Sequence, residues 1–169
     1  MFKKILSQQP VDGLITLAEL KRHCRVFTDF EDQYLQSLIP VCLDLCQSYS
    51  GRMLTTGTAV VVVDGGCREV LLPYGEVTSI TTVLLDGVES NAYSFDDVTQ
   101  KVTITVPYDN ARIEFVAGYA TLPLVVKHAA LILASTQYNI REDVIVGQAV
   151  NEIPRTSRDL LDRVKLPWQ

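Results

Sequence analysis

Residues 28–63 read TDFEDQYLQSLIPVCLDLCQSYSGRMLTTGTAVVVV, and the spacing of the apolar residues changes within them. Before Gly51 the apolar residues recur every three or four positions, as on the buried face of a helix. After Gly51 a run of Thr and Val is typical of a strand. The chain therefore passes here from a helix to a β segment. The expected buried positions of the helix are Leu35, Leu38, Ile39, Cys42, Leu45, Cys46 and Tyr49.

The ends of this helix are also marked in the sequence. Thr28-Asp29-Phe30-Glu31 has the pattern of a capping box, and Gly51 is a natural stop after about Tyr49. Pro40 lies inside the segment and has no backbone N–H to donate, so we expect it to kink or split the helix.

An earlier helix is predicted nearer the N-terminus. Thr16 and Glu19 form another capping-box pattern, which predicts a short helix to about Arg25. Residues 1–15 contain the helix breakers Pro10 and Gly13 and are predicted to form an extended arm.

The middle of the chain predicts an antiparallel β unit of roughly five strands, separated by turn residues such as Asp86-Gly87. Pro123 then suits the first turn of a helix to about Arg141, which is apolar almost all round and therefore central. The fold class is α+β, a small helical bundle with an inserted antiparallel β unit and extended terminal arms. The expected strands are Thr58–Val63, Glu69–Leu72, Val77–Leu85, Lys101–Val106 and Arg112–Val116.

The composition argues against several classes of protein. The chain has 15 basic and 20 acidic residues, a net charge of −5. Proteins that grip DNA usually carry a basic surface. No apolar run approaches the roughly 20 residues of a membrane span, and the N-terminus lacks the apolar core of a signal peptide. We therefore expect a cytoplasmic protein whose four cysteines are free and mostly buried thiols.

Residues that could carry chemistry are few. The chain has two histidines and lacks glycine-rich phosphate loops, nucleophile elbows and His-Glu-x-x-His motifs. Cys42 and Cys46 lie one helical turn apart and could bind zinc with His23 and Cys24. Their place in the apolar stripe favours core cysteines instead. Asp96-Asp97 favours a turn, because adjacent strand residues face opposite ways. We expect neither a catalytic site nor a cofactor.

The C-terminal segment is locally basic, with Asp159 and Asp162 interleaved among the basic residues. One interpretation is a solvated helix face. The other is a docking arm for an acidic partner, in which a terminal tryptophan supplies an apolar anchor. The predicted partner-binding residues are Arg155, Arg158, Arg163, Lys165 and Trp168.

The order of short motifs along the chain resembles that of the bacteriophage head–tail connector family, also called adaptor or head-completion proteins. The resemblance runs from residue 16 to about residue 161 and rests on the order and spacing of the pieces. The chain departs from the family at Pro40, where members usually continue the helix. The matching pieces are Thr16–Lys21, Tyr49–Arg52, Leu72-Pro73, Val77–Ile80, Asp86-Gly87, Tyr93, Ala117–Tyr119, Leu122-Pro123, Tyr138–Glu142, Ile153-Pro154 and Leu160-Leu161.

The resemblance implies a structural subunit rather than an enzyme. Family members form a head-to-tail ring, generally dodecameric, below the portal. The ring extends the DNA channel and receives the stopper or tail-completion protein. It belongs to the head–tail interface of the virion and is assembled in the host cytoplasm. The chain would then divide into an N-terminal arm (1–15), a connector domain (16–142), and a C-terminal linker and docking arm (143–169). The connector domain would have helices in 16–50 and 123–142 and a β insertion (57–117) between them.

Two other functions compete with this one. A small nucleic-acid-binding regulatory domain could be built on the two N-terminal helices, but the net negative charge argues against it. A small hydrolase is opposed by the lack of a convergent His or Cys cluster. For a connector, the same charge predicts a neutral to acidic channel lining that lets DNA slide past.

Overall fold

The structure is a computed structural model that describes residues 2–11, 13–140 and 155–166. Within these ranges the chain forms four helices and eight strands, and the predicted α+β class is confirmed. The helices are α1 (Leu17–Cys24), α2 (Asp32–Ser50), α3 (Leu124–Asn139) and α4 (Arg155–Asp162). The strands are β1 (Phe2–Gln8), β2 (Gly57–Asp64), β3 (Glu69–Leu71), β4 (Ser79–Leu85), β5 (Val88–Glu89), β6 (Tyr93–Asp96), β7 (Lys101–Ile104) and β8 (Asn110–Ala117).

The chain divides into two compact units, each made of two segments. Residues 1–10 and 51–121 form a β unit, and residues 11–50 and 122–169 form a helical unit. The linker predicted from residue 143 lies outside the described residues as far as residue 154.

The β unit contains two antiparallel sheets around one core. The larger sheet has the order β1-β2-β8-β4-β5, and the smaller has the order β3-β7-β6. Burial alternates along β8, where Ala111, Ile113, Phe115 and Ala117 are buried, as expected for a strand with one face on the core. Asp86 and Gly87 have φ angles of 51° and 83° and make the two-residue turn between β4 and β5.

The five predicted strands are present, but the structure has eight strands where the sequence predicted roughly five. β5 has two residues, β1 carries two lysines, and β6 alternates apolar and polar residues over only four positions, so none gave a clear strand signal. Residues 2–8, expected in an N-terminal arm, form the edge strand β1 and pair antiparallel with β2. Val106 was expected in β7, which ends at Ile104.

The helical unit begins with the predicted capping box of α1. The Thr16 side chain accepts from the Glu19 N–H, and the Glu19 carboxylate accepts from the Thr16 N–H at 2.9 Å. Lys127 of α3 also donates to Glu19, at 2.7 Å, so the same carboxylate joins α1 to α3.

α2 differs from its prediction at its start. It begins at Asp32 rather than after Thr28, so the second predicted capping box is wrong. The acidic residues of that pattern bind elsewhere, since Glu31 accepts from Tyr138 of α3 and Asp29 pairs with Lys21 of α1.

Pro40 does not split α2, which runs unbroken to Ser50. Pro40 and Gln36 are both exposed, so water can hydrate the Gln36 carbonyl that proline leaves without a donor. The buried surface is also wider than one stripe: Leu43 is fully buried and Leu45 only half-buried. The reason is that α1, α3 and α4 all pack against α2.

α3 is the central helix, as its composition predicted. α1, α2 and α4 all pack against it, and its buried residues include Val126, Ala129, Ala130 and Leu133. None of the helices in the described residues has the length and apolar character needed to cross a membrane.

Candidate functional site

The cysteines of α2 are core side chains. Cys42 and Cys46 are both buried, and the Cys42 thiol lies 3.4 Å from Gln137 Oε1. Burial raises the pKa of each thiol to about 12. Such thiols stay protonated near neutral pH, which disfavours metal binding and nucleophilic attack. Across the described ranges, no three His, Cys, Asp or Glu side chains are grouped so as to hold a metal ion.

The histidines lie together instead of beside the α2 cysteines. The rings of His23 and His128 meet edge to face, with centroids 5.9 Å apart. Burial, with a smaller effect from His128, lowers the pKa of His23. The ring contact packs α1 against α3, and the lowered pKa favours the neutral form of His23 there.

Asp96 forms a turn, as predicted. Its carboxylate accepts from the Val98 and Thr99 N–H groups and from the Thr99 hydroxyl. The Thr99 hydroxyl and these N–H groups lower the pKa of Asp96. The carboxylate therefore holds the loop between β6 and β7, and Asp97 contributes its carbonyl to Gln100 rather than a second carboxylate.

The C-terminal segment packs on its own helical unit. Ser157 and Leu161 on one side of α4 are buried, and the Ser157 hydroxyl lies 3.4 Å from the Ala129 carbonyl. Leu166 is buried too and donates its N–H to the Ser50 carbonyl. Residues 155–166 are thus part of the folded helical unit, not a separable arm.

Tyr49 gathers two of the predicted partner-binding residues. Its hydroxyl donates to Asp162 at 2.7 Å. Arg158 and Lys165 lie over its ring, 6.0 Å and 4.7 Å from the centroid, within reach of a cation–π interaction. Arg155, Arg158 and Arg163 are exposed, and Trp168 lies outside the described residues.

Two phenylalanines between α1 and α2 are almost fully exposed. Phe27 is 90% exposed and Phe30 is 94% exposed. We call these two residues the aromatic knob. Two large apolar side chains this exposed, three residues apart in one loop, are typical of an interaction surface.

A small pocket opens on the β unit. It has a volume of about 230 Å³ and is lined by residues 66–68 and 105–108. We call it the β-unit pocket. Val106, Pro107 and the ring of Tyr108 give it a mainly apolar wall, and Cys67 and Arg68 lie at its exposed side.

The family of the chain follows from comparison with known proteins. A family model described as head completion protein matches residues 13–154, most of the chain. The chain belongs to the head completion protein family. The resemblance to phage head–tail connectors is therefore confirmed, and the role of the family is structural.

This head completion protein is also similar in fold to chains of solved structures. One comes from the neck of an empty GTA particle computed with C6 symmetry, and another from the virion of a native gene transfer agent (GTA) particle. Each has a TM-score of 0.71 at 21% identity, over 98% of this chain and 95% of the other. A third, from the neck of a native GTA particle computed with C12 symmetry, has a TM-score of 0.70 at 17% identity. These likenesses show the fold. No curated protein matches with significance.

The knob and the pocket of this head completion protein were missed by reasoning from the sequence. Phe30 was named only within the predicted capping box Thr28–Glu31, and Phe27 was not singled out. Val106 was assigned to a strand, but β7 ends at Ile104 and Val106 is 41% exposed. Residues 66 and 105 are far apart in sequence, so no local pattern could place them in one pocket.

Proposed function

We propose that this head completion protein is a head–tail connector subunit. Copies assemble head-to-tail into a ring below the portal, extend the DNA channel and provide the docking surface for the stopper or tail-completion protein. The observation that carries the proposal is the family match over residues 13–154. The likeness of the whole fold to chains of GTA necks supports it.

The ring has twelve copies in this proposal. The similar neck structures were computed with C12 and C6 symmetry, and both symmetries fit a closed ring of twelve identical subunits. Head-to-tail contacts close into such a ring when each contact adds the right rotation. The ring resides at the head–tail interface of the virion after assembly in the host cytoplasm, and DNA only passes through it.

The outer face of α4 contacts the portal in this proposal. The docking surface comprises the basic residues of α4, the basic residues that follow it, and Trp168. Arg155, Arg158 and Arg163 are exposed. The segment 155–166 has four basic and two acidic residues, in a chain with a net charge of −5. A local positive patch on an acidic protein guides an acidic partner and fixes the register of contact.

Charge reversal tests this docking surface without unfolding α4. Arg155→Glu with Arg163→Glu should weaken binding to the portal of the same particle at least tenfold. Arg158 is left unchanged because it lies over Tyr49. The matched control reverses two exposed basic residues elsewhere, Lys4→Glu with Arg22→Glu. Equal binding by the wild type and both variants, measured by surface plasmon resonance, would show that α4 is not the docking element.

A further inference from the structure

The aromatic knob is held in place by its own unit. Arg25 ends α1 in the left-handed conformation, with φ of 58°, and the Val26 N–H donates to the Lys21 carbonyl at 2.9 Å. Lys21 Nζ then lies 2.6 Å from carboxylate oxygens of both Asp29 and Asp32. The loop is therefore pinned at both ends while its two aromatic side chains stay in solvent. A surface fixed before binding loses less entropy on association.

The β-unit pocket has the size and character to receive a phenyl ring. Cavities of about 150 Å³ lined by apolar side chains bind benzene, and this pocket holds about 230 Å³. Its walls are fixed by hydrogen bonds. Tyr108 donates its hydroxyl to the Cys67 carbonyl, and Ile104 donates its N–H to the Arg68 carbonyl at 2.8 Å.

Charge also matches between the two surfaces. The Asp29 side chain, between the two phenylalanines, is 91% exposed, and it shares the single Lys21 ammonium with Asp32, so the two carboxylates keep a net negative charge. Arg68 is exposed at the side of the pocket. A phenyl ring in the pocket would bring opposite charges to the rim of the contact, where they contribute to register more than to affinity.

We propose that the aromatic knob of one copy inserts into the β-unit pocket of the next copy. The inference rests on the proposed ring, and it names the contact that repeats around it. A head-to-tail ring requires two different, complementary patches on every subunit. The knob and the pocket are two such patches of this one chain, since the first belongs to the helical unit and the second to the β unit. The occupant of the pocket is therefore a second copy.

Cross-linking tests the contact directly, because Cys67 already lines the pocket. Phe27→Cys and Phe30→Cys are made separately, assembled with the portal and treated with a short bismaleimide. A cysteine at the knob should link to Cys67 of the neighbouring copy and give a ladder of dimers, trimers and larger products on denaturing gels. The buried Cys42 and Cys46, with pKa raised to about 12, react slowly with maleimides. The partly exposed Cys24 is replaced by serine in every protein used, because it lies three residues before Phe27.

Two matched controls define the result. Adding Cys67→Ser should abolish the ladder, and Val98→Cys, at another exposed apolar residue of the β unit, should not produce one. Rings seen by electron microscopy without a ladder from either knob variant would overturn the contact and leave the connector proposal standing. A product formed within one copy, migrating as a monomer, would also overturn it. If the wild type forms no ring with the portal, both proposals fail.

Removal of the knob gives an independent measurement. Phe27→Ser with Phe30→Ser should raise the concentration needed for ring assembly at least tenfold and leave the melting temperature of the monomer unchanged, because both side chains are in solvent. Val88→Ser with Val98→Ser is the control. Assembly of the knob variant at the wild-type concentration would contradict the proposed contact.

Discussion

Gly118 has two separate reasons to be glycine. Its φ is +108°, and a Cβ there would overlap the carbonyl of Thr55. Gly66 has a similar φ of +98° but open space around a Cβ. We expect Gly66→Ala to cost about 1–2 kcal/mol from the backbone conformation alone. Gly118→Ala should cost about 1–3 kcal/mol more, because a backbone group must move. Urea denaturation of the two variants measures the difference, and equal costs would disprove the close approach.

Leu43 and Leu45 show where a sequence pattern loses accuracy. The stripe of α2 contained Leu45, but Leu43 is fully buried and Leu45 half-buried. The 3.6-residue spacing identifies one face, whereas α2 is packed by three other helices. Leu43→Ala should lower the free energy of unfolding by about 2–5 kcal/mol, and Leu45→Ala by about 1 kcal/mol. If chemical denaturation showed Leu45→Ala to be the more destabilising of the two, the buried stripe predicted from the sequence would be correct after all.

At the scale of elements, Glu19 joins α1 to α3 in a pH-dependent way. The hydrogen bond from Lys127, followed by the one from the Thr16 N–H, lowers the pKa of Glu19 from 4.5 to about 2. A carboxylate with a lowered pKa stabilises the fold fully above pH 4.5, and this stability is lost as the pH falls toward 2. Both side chains are partly exposed, so solvent weakens the pair.

Glu19→Gln should therefore lower the stability at pH 7 by about 0.5 kcal/mol. The difference in stability between wild type and variant should disappear between pH 4.5 and pH 2, as measured by thermal melts. The exposed Glu89→Gln should follow the wild type at every pH. A stability difference that stays constant down to pH 2 would show that the Glu19–Lys127 pair stabilises the fold through hydrogen-bond geometry rather than charge.

The elements that could be predicted from sequence are those with strong local signals. The capping box at Thr16, the central apolar helix after Pro123 and the Asp86-Gly87 turn are all present. β1 could not be predicted, because an edge strand with Lys3 and Lys4 has no buried alternating face and forms through its pairing with β2. The packing of α4 on Tyr49 was missed for a similar reason, since it depends on contacts across more than a hundred residues.

At the scale of the whole molecule, the charge of the chain constrains what the channel can do. The net charge is −5, and the locally basic segment 155–166 is the one that we propose contacts the portal. We expect assembled rings to bind duplex DNA weakly, with little change in affinity between 50 and 200 mM salt, because few phosphates are neutralised. Filter binding over that range measures it. Tight binding with a steep salt dependence would indicate a basic lumen and contradict the prediction.

The order of motifs predicted the family before the fold was known, and the family model confirms it over residues 13–154. The proposed contact between copies could not be predicted in the same way, because the β-unit pocket joins distant parts of one unit. The assembly of copies into a ring is therefore the prediction to test first.

The most direct measurement is cryo-electron microscopy of the purified chain mixed with the portal of its particle. We expect a closed ring of identical subunits, twelve in number, seated below the portal and continuous with its channel. A portal without added density, with the chain remaining monomeric at saturating concentration, would contradict the assignment of this protein as a head–tail connector subunit.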